Sequence, residues 1–589
     1  MKEGLDMKFL IPIALLFSFL SAVAQDPLVS TPRRPGRPAA GKTAASPTSV
    51  VAPKPEPNRP ATTYQVIDKI IDRERSLIQF LSNRTPLVET YLQEFAPDAK
   101  LGSVPKQDHY FLGRFDMGPT IERRNYLASS LEETLLGGMT RLFRIQYQPM
   151  GFTWMLFVDR QNLDRNHYNF KYVRREFLGD VRCLVFDVTP NPGAGKELFK
   201  GRIWVEDENY NIVRLNGTYF PRPRNAQYFH MDSWRLNLVP GYWVPAYIYS
   251  EEGDFSSGSR EKLSFKAQSR IWGYGLVGEK REGELTDLNV DAVKDESVGA
   301  QDASPLEAER AWQQQAEDNV IGRLEQAGLL APPGDVDKVL ETVVNNLVAT
   351  NNLEFARPVH VRVMLTSPLE TCSVGDTIII SRGLIDTLPD EASLAAILSH
   401  ELAHIVLGHN LGSKYAFNDR MLFSDESTYQ NLGFRPGPED EAAADVKALE
   451  LLEKSPYAQK LGSAGLYLKQ LQARAPSLAA LMTAHLGNSL GNGKGQITRL
   501  AALMPSAPAL DDGKLNQIAA LPLGGRVKLD PWGDGVEMIK AAPVTISTAR
   551  DKMPFEVTPF FPRLTRLTNA AEKAASSPTA AENAAPGHR

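Results

Sequence analysis

Two cysteines, Cys183 and Cys372, are all that 589 residues contain. A pair so few and so far apart excludes a disulfide-stapled scaffold and a thiolate zinc module, which needs cysteines at short spacing. The two read as buried free thiols. Continuous apolar runs of 18 residues are missing as well, and a membrane-spanning helix needs about 20. Positive charge is not in excess either: 65 Lys and Arg stand against 70 Asp and Glu, for a net charge of −5. That balance argues against a nucleic-acid partner, whose phosphates call for a basic footprint. No internal repeat is found.

What is present is ample apolar material. A hydrophobic content of 42% over this length suffices for several cores, and length alone predicts two to four domains. Residues 1–24 carry a lysine, an apolar core from Phe9 to Leu20 and Ala22-Val23-Ala24 before Gln25, the layout of a secretory signal peptide. Met7 offers a cleaner start than Met1, because Glu3 and Asp6 would otherwise lie in the basic region. An uncleaved anchor is the alternative, against which stands the shortness of the apolar core. Cleavage leaves no integral membrane domain and a periplasmic or secreted chain. Residues 25–62 are rich in Pro, Ala, Ser and Thr and read as a linker, and 569–589 read as a tail of the same kind.

From Thr63 to Phe95, apolar residues (Ile67, Ile70, Ile71, Leu77, Ile78, Leu81) recur at helical spacing and predict one or two amphipathic helices. Between about 108 and 285 the period shortens. Runs such as FTWMLFVD, CLVFDVTP, GRIWVEDENYNIVRLNG and YWVPAYIYS, separated by Gly, Pro and Asn-Gly signals, predict six to ten antiparallel strands. Residues 63–290 thus form one expected domain, a helix plus antiparallel sheet. After an acidic connector, helical patterns at 305–328 and 335–349 and strand-like VHVRVMLT and DTIIIS open a mainly helical domain with a short β-sheet, 305–490. LPLGGRVKLDPWGDGVEMIK suggests a small β unit within 495–568. The predicted class is α+β and multidomain, the two domains being separate.

The segment LSHELAHIVLGHN, 398–410, sets three of the nine histidines and Glu401 in an otherwise apolar helix. His400 and His404, at i and i+4, leave one face about one turn apart and can share one ion. Glu401 stands beside that ion without competing for it, the HExxH arrangement of a zinc hydrolase. The plainer alternative is a pair of satisfied core histidines and a salt-bridged glutamate. A catalytic zinc takes three protein ligands and keeps one position open. A third histidine of the HExxHxxGxxH type is ruled out, since those places hold Leu407 and Asn410. His409, five residues after His404 and about 140° around a continued helix, reads as a structural or rim residue. Glu441 and Asp445 share a face of the helix opened by Gly437-Pro438: Glu441 can complete the ligand set and Asp445 can orient an imidazole. A first turn also favours acids for its macrodipole alone.

Taken together, DTIIISRGLIDTLPDEASLAAILSHELAHIVLGH and EDEAAADVKALELL resemble the HtpX and CaaX-prenyl-protease type of gluzincin metallopeptidases, with HExxH and a later ExxxD on a second helix. The resemblance covers about 330–475. It implies a zincin-like fold, one Zn2+ per chain held by His400, His404 and Glu441, Glu401 as base and Asp445 behind a ligand. Without the membrane helices of many relatives, the chain looks like the soluble periplasmic BepA-like branch. Where relatives show an Asn-Ala-Phe-like edge, it has Thr371-Cys372-Ser373, so substrate docking along that edge is expected to differ. GRIWVEDENYNIVRL separately resembles LolA-like lipoprotein-sorting half-barrels. The expected function is an exported zinc endopeptidase cutting protein or peptide substrates, envelope or outer-membrane proteins among them, in envelope quality control. The competing reading is a periplasmic chaperone that binds clients and cuts little; hydrolysis of a non-peptide amide is a third. His485 is a candidate to stabilise the oxyanion, with a plain core or surface histidine as the alternative.

Overall fold

A 19-residue helix, α1 (Thr63–Leu81), buries Ile67, Ile70, Ile71, Leu77 and Leu81 along one stripe. Its start is fixed by a capping box: the Thr62 hydroxyl accepts the Gln65 N–H at 3.3 Å and the Gln65 side chain accepts the Thr62 N–H at 3.2 Å. In this computed structural model the described residues are 62–118, 122–125, 155–195, 198–220, 230–251, 264–275, 305–409, 434–492, 495–524, 526–529, 536–538 and 546–567. The expected signal peptide, most of the linker and the tail lie outside them. All the described residues belong to one compact unit.

The helical pattern does not run on to Phe95. Pro86 cannot continue a helix, and the chain re-enters as strand β1 (Leu87–Asp98), buried on both faces over its first half. Strands β2 (Gly102–Asp116), β3 (Glu122–Asn125), β4 (Tyr168–Leu178), β5 (Val181–Pro190), β6 (Leu198–Glu206), β7 (Ile212–Phe220), β8 (His230–Val239), β9 (Tyr242–Glu251) and β10 (Ser264–Trp272) follow. They make one ten-stranded antiparallel sheet in the order β3-β2-β1-β10-β9-β8-β7-β6-β5-β4. Strands β4 to β10 form a meander, and β10 then pairs with β1. One expected strand is absent: Met155–Val158 of FTWMLFVD are buried in turns. Their carbonyls find side chains instead of a ladder, Leu156 bonding Arg235 at 3.0 Å and Phe157 bonding Tyr219 at 3.2 Å.

A mainly helical region follows: α2 (Pro305–Gln326), α3 (Asp335–Thr350), β11 (His360–Met364), β12 (Glu370–Val374), β13 (Thr377–Ser381), α4 (Arg382–Thr387), α5 (Glu391–Leu407), α6 (Pro438–Glu453), α7 (Leu461–Arg474), α8 (Ala479–Met482) and β14 (Asn488–Ser489). Its sheet has the order β11-β13-β12-β14, with β12 and the two-residue β14 the strands that the expected pair of apolar runs did not reveal. The hairpin β15 (Val527–Leu529) and β16 (Val536–Met538) lies in the expected C-terminal β unit.

Opposite faces of the large sheet serve different cores. Val88, Leu92, Ile248 and Ile271 pack with α1, whereas Leu87, Tyr91, Trp234, Tyr247 and Trp272 join the core of the helical region. The fold is α+β, a large antiparallel sheet and a helical region with a small sheet, and the two parts share apolar core instead of standing apart. Buried polar groups join them too. Glu89 accepts the Ser367 N–H at 2.5 Å and Arg382 Nη2 at 2.8 Å, and Asp108 accepts the N–H groups of Ala480 and Leu481, both at 2.8 Å.

Candidate metal centre

Helix α5 is almost wholly buried from Ala392 to His404. The Asp390 side chain caps it, accepting the Ser393 N–H at 2.8 Å. At the other end Gly408 turns left-handed, with φ of 68°. The Gly408 N–H then bonds the Ile405 carbonyl at 3.1 Å and the His409 N–H bonds the His404 carbonyl at 3.0 Å. This six-to-one and five-to-two pairing is a Schellman closure, for which glycine is the usual residue. Helix α6 begins at Pro438 after Gly437 and buries Ala444 and Ala448, small side chains that let it lie close to α5.

The two helices bring His400, His404 and Glu441 together, with ligand-type atoms all within 4.8 Å of one another. The imidazole Nε2 atoms are 3.1 Å apart. Glu441 Oε2 lies 3.3 Å from His400 Nε2, and Oε1 lies 3.4 Å from His404 Nε2. The Nδ1 atoms point away: His400 Nδ1 is 2.8 Å from Asp445 Oδ1, and His404 Nδ1 is 3.0 Å from His409 Nδ1. A proton on Nδ1 of His400, held by Asp445, leaves its Nε2 a lone pair aimed into the cage.

These donors fit a zinc ion. Tetrahedral zinc with bonds near 2.0–2.1 Å sets ligand atoms about 3.3 Å apart, which is the spacing found. Two imidazoles and a carboxylate are also zinc's ordinary donors. The histidines are 1% and 0% exposed, so their facing nitrogens are shielded from bulk solvent. Burial opposes charging His400, yet the hydrogen bonds to Asp445 and Glu441 leave its pKa raised. Burial likewise would raise that of Glu441, but both imidazoles and the Arg499 charge hold it far below the usual carboxylate range.

Glu401 is buried on the same helix, its Oε1 accepting the Thr371 hydroxyl at 2.5 Å and lying 3.0 Å from Arg499 Nη2. Sequence reasoning missed Arg499. Its Nε donates to Glu441 Oε2 at 3.0 Å and its Nη1 to the Thr371 hydroxyl at 2.7 Å. Asn488, also missed, donates to Glu441 Oε1 at 2.7 Å. Both lie beyond the GNSLGNGKG boundary or within it, where no periodic pattern marks them. His409, expected as a structural or rim residue, stands behind a cage histidine: Gly408 ends the helix and the turn folds the imidazole back onto His404, with Nδ1 3.0 Å from His404 Nδ1 and Nε2 3.6 Å from Asp440 Oδ1. His485 stacks on Tyr110, ring centres 5.1 Å apart, and burial with the nearby Arg435 charge pushes its pKa down to about 4. Its Nε2 is buried without a partner. Cys372 and Cys183 are buried free thiols, burial raising both pKa values, that of Cys183 to about 12.

Residues 337–424 match the model of Peptidase family M48. The match supports an M48 metallopeptidase. It takes in His400, Glu401 and His404 and stops before Glu441. No curated protein matches the chain. Among solved structures, a domain assigned as an outer membrane lipoprotein-sorting protein from Vibrio parahaemolyticus is similar at 8% identity and a TM-score of 0.20, over 37% of this chain and 98% of that one. A DUF1329 family protein from Desulfovibrio piger is similar at 10% identity and a TM-score of 0.17, over 36% of this chain and 95% of that one. Among the described residues no helix is long and apolar enough to cross a membrane.

Proposed function

We propose that this chain is an exported zinc-dependent endopeptidase of the HtpX and BepA-like kind, with one zinc per chain, acting on proteins of the cell envelope. The observation that carries the reading is the cage of His400 Nε2, His404 Nε2 and Glu441, with edges of 3.1 to 3.4 Å beside a buried Glu401. Residues 337–424 add the family match. The signal-peptide pattern of residues 1–24 supports export.

Zinc bound there supplies a Lewis acid that acidifies water and polarises the scissile carbonyl. His400 and His404 would hold it through Nε2 together with Glu441, and Asp445 and His409 fix the two rings from behind. Glu401 has one oxygen engaged by Thr371 and Arg499, which leaves Oε2 to take a proton from the attacking water and pass it to the departing amine. His400, His404 and Glu401 are buried, so their charges act at a lower local dielectric than in water.

Glu401→Gln tests the reading. It keeps the shape but not the base, so casein cleavage is expected to fall by about 10²–10⁴-fold while zinc content stays at one per chain. Cleavage that persists in that variant, or that survives removal of zinc by a chelator, sinks the proposal.

A further inference from the structure

Arg499 is 4% exposed, and each of its three nitrogens faces a different group of the centre. Nε donates to Glu441 Oε2 at 3.0 Å and Nη1 to the Thr371 hydroxyl at 2.7 Å. Nη2 lies 3.0 Å from Glu401 Oε1 as an ion pair without hydrogen-bond geometry, and the hydrogen bond on that oxygen comes from the same Thr371 hydroxyl at 2.5 Å. One flat guanidinium therefore spans the carboxylate of α6 that faces the imidazoles and the carboxylate of α5 assigned as base. Resting on the peptidase reading, we infer that Arg499 is a positioning residue: it fixes the Glu401 carboxylate relative to that of Glu441, committing one oxygen of the base so that the other meets the attacking water.

Three features separate this from simple charge balance. Arginine is planar and presents its donors in a rigid fork, so it transmits orientation, which a point charge does not. Each oxygen of Glu441 accepts a donor besides facing an imidazole, Asn488 on Oε1 and Arg499 on Oε2, and the carboxylate cannot rotate without losing one. The support is itself pinned. Leu500 takes a left-handed φ of 52°, costly for a side chain with a Cβ, and its N–H donates to Asp445 Oδ1 at 3.0 Å. Asp445 thus holds His400 and the backbone beside Arg499 at once.

The test uses the purified full chain with Arg499→Gln, Arg499→Lys and Thr371→Val. Melting temperature, zinc affinity by chelator competition, and kcat and KM on a fluorogenic casein peptide at saturating zinc are measured. Arg499→Gln is expected to lower kcat about 100-fold or more with KM within about threefold, and to weaken zinc about 10-fold as Glu441 loses an anchor. Arg499→Lys is expected to restore less than a tenth of the lost kcat. Thr371→Val, which removes the hydroxyl that Glu401 and Arg499 share, gives about a 10-fold loss of kcat in a chain that still folds with a lowered melting temperature, and decides the matter should Arg499→Gln fail to fold. Full recovery in Arg499→Lys, or unchanged kcat and zinc affinity in the folded variants, overturns the inference. A wild type that binds zinc and cleaves nothing sinks the peptidase reading instead, and the zinc affinity of Arg499→Gln then still decides whether Glu441 is anchored.

Discussion

Asp445 shows what one carboxylate does at two addresses. Its Oδ1 lies 2.8 Å from His400 Nδ1 and accepts the Leu500 N–H at 3.0 Å, so it sets both an imidazole tautomer and the loop that carries Arg499. Asp445→Ala leaves the imidazole free to place its proton on Nε2, where it blocks a ligand lone pair. Zinc affinity is expected to weaken about 10–100-fold, read by competition with a chromogenic chelator; unchanged affinity removes Asp445 from the centre. At this scale, legibility in the sequence followed distance along the chain. His400 and His404 are encoded by helical periodicity over five residues, and Glu441 with Asp445 by the same spacing on a second helix. Arg499 lies 58 residues after Glu441 on irregular backbone whose course depends on the left-handed Leu500. No local period announces such a residue.

Among the elements, the end of α5 matters most to the site. Gly408 at φ of 68° folds the chain so that His409 returns over His404, within 3.0 Å through their Nδ1 atoms. A Cβ added there meets nothing within 4 Å, so a substitution suffers from backbone conformation and not from crowding. Gly408→Ala is therefore expected to cost about 1–2 kcal/mol and, by unhooking His409, to weaken zinc, whereas Gly408→Asn retains most of both because Asn tolerates the left-handed region. Thermal melts and zinc titrations check this, and equal behaviour of the Ala and Asn variants would show that the turn does not hold His409. The same contrast between local and distant causes explains how the other elements read. α1 and α3 carry apolar residues at helical spacing, and α5 is an apolar run that holds the two histidines at i and i+4. β1 reads as helix because its apolar residues fall in pairs four apart, Leu87-Val88 and Tyr91-Leu92, one member of each pair on each buried face, and only Pro86 marks the break. β12, ETCSV, is short and polar, and it is a strand because β13 pairs with it.

For the whole molecule, the sheet and the helical region act as one body because buried charge as well as apolar core joins them. Glu89 of β1 meets Arg382 at 2.8 Å, with the two side chains 2% and 0% exposed, and also accepts the Ser367 N–H just before β12. That strand carries Thr371, which bonds Glu401, so a short path of contacts leads from the sheet to the base. Removing one partner of a buried pair leaves the other charge unmet. Glu89→Ala is thus expected to cost about 3–5 kcal/mol, whereas replacing both, as Glu89→Gln with Arg382→Met, recovers part of the loss: the charge of Glu89 goes with that of its partner, and Asp386, 3.5 Å from Arg382 Nη1, keeps the N–H donors of Gly524, Arg526 and Val527. Scanning calorimetry should show one transition for the wild type, shifted down in Glu89→Ala and partly restored in the double variant. Two resolved transitions in the wild type would mean that the sheet unfolds independently, and the sheet would then be an appendage rather than part of the frame that holds Thr371 against Glu401.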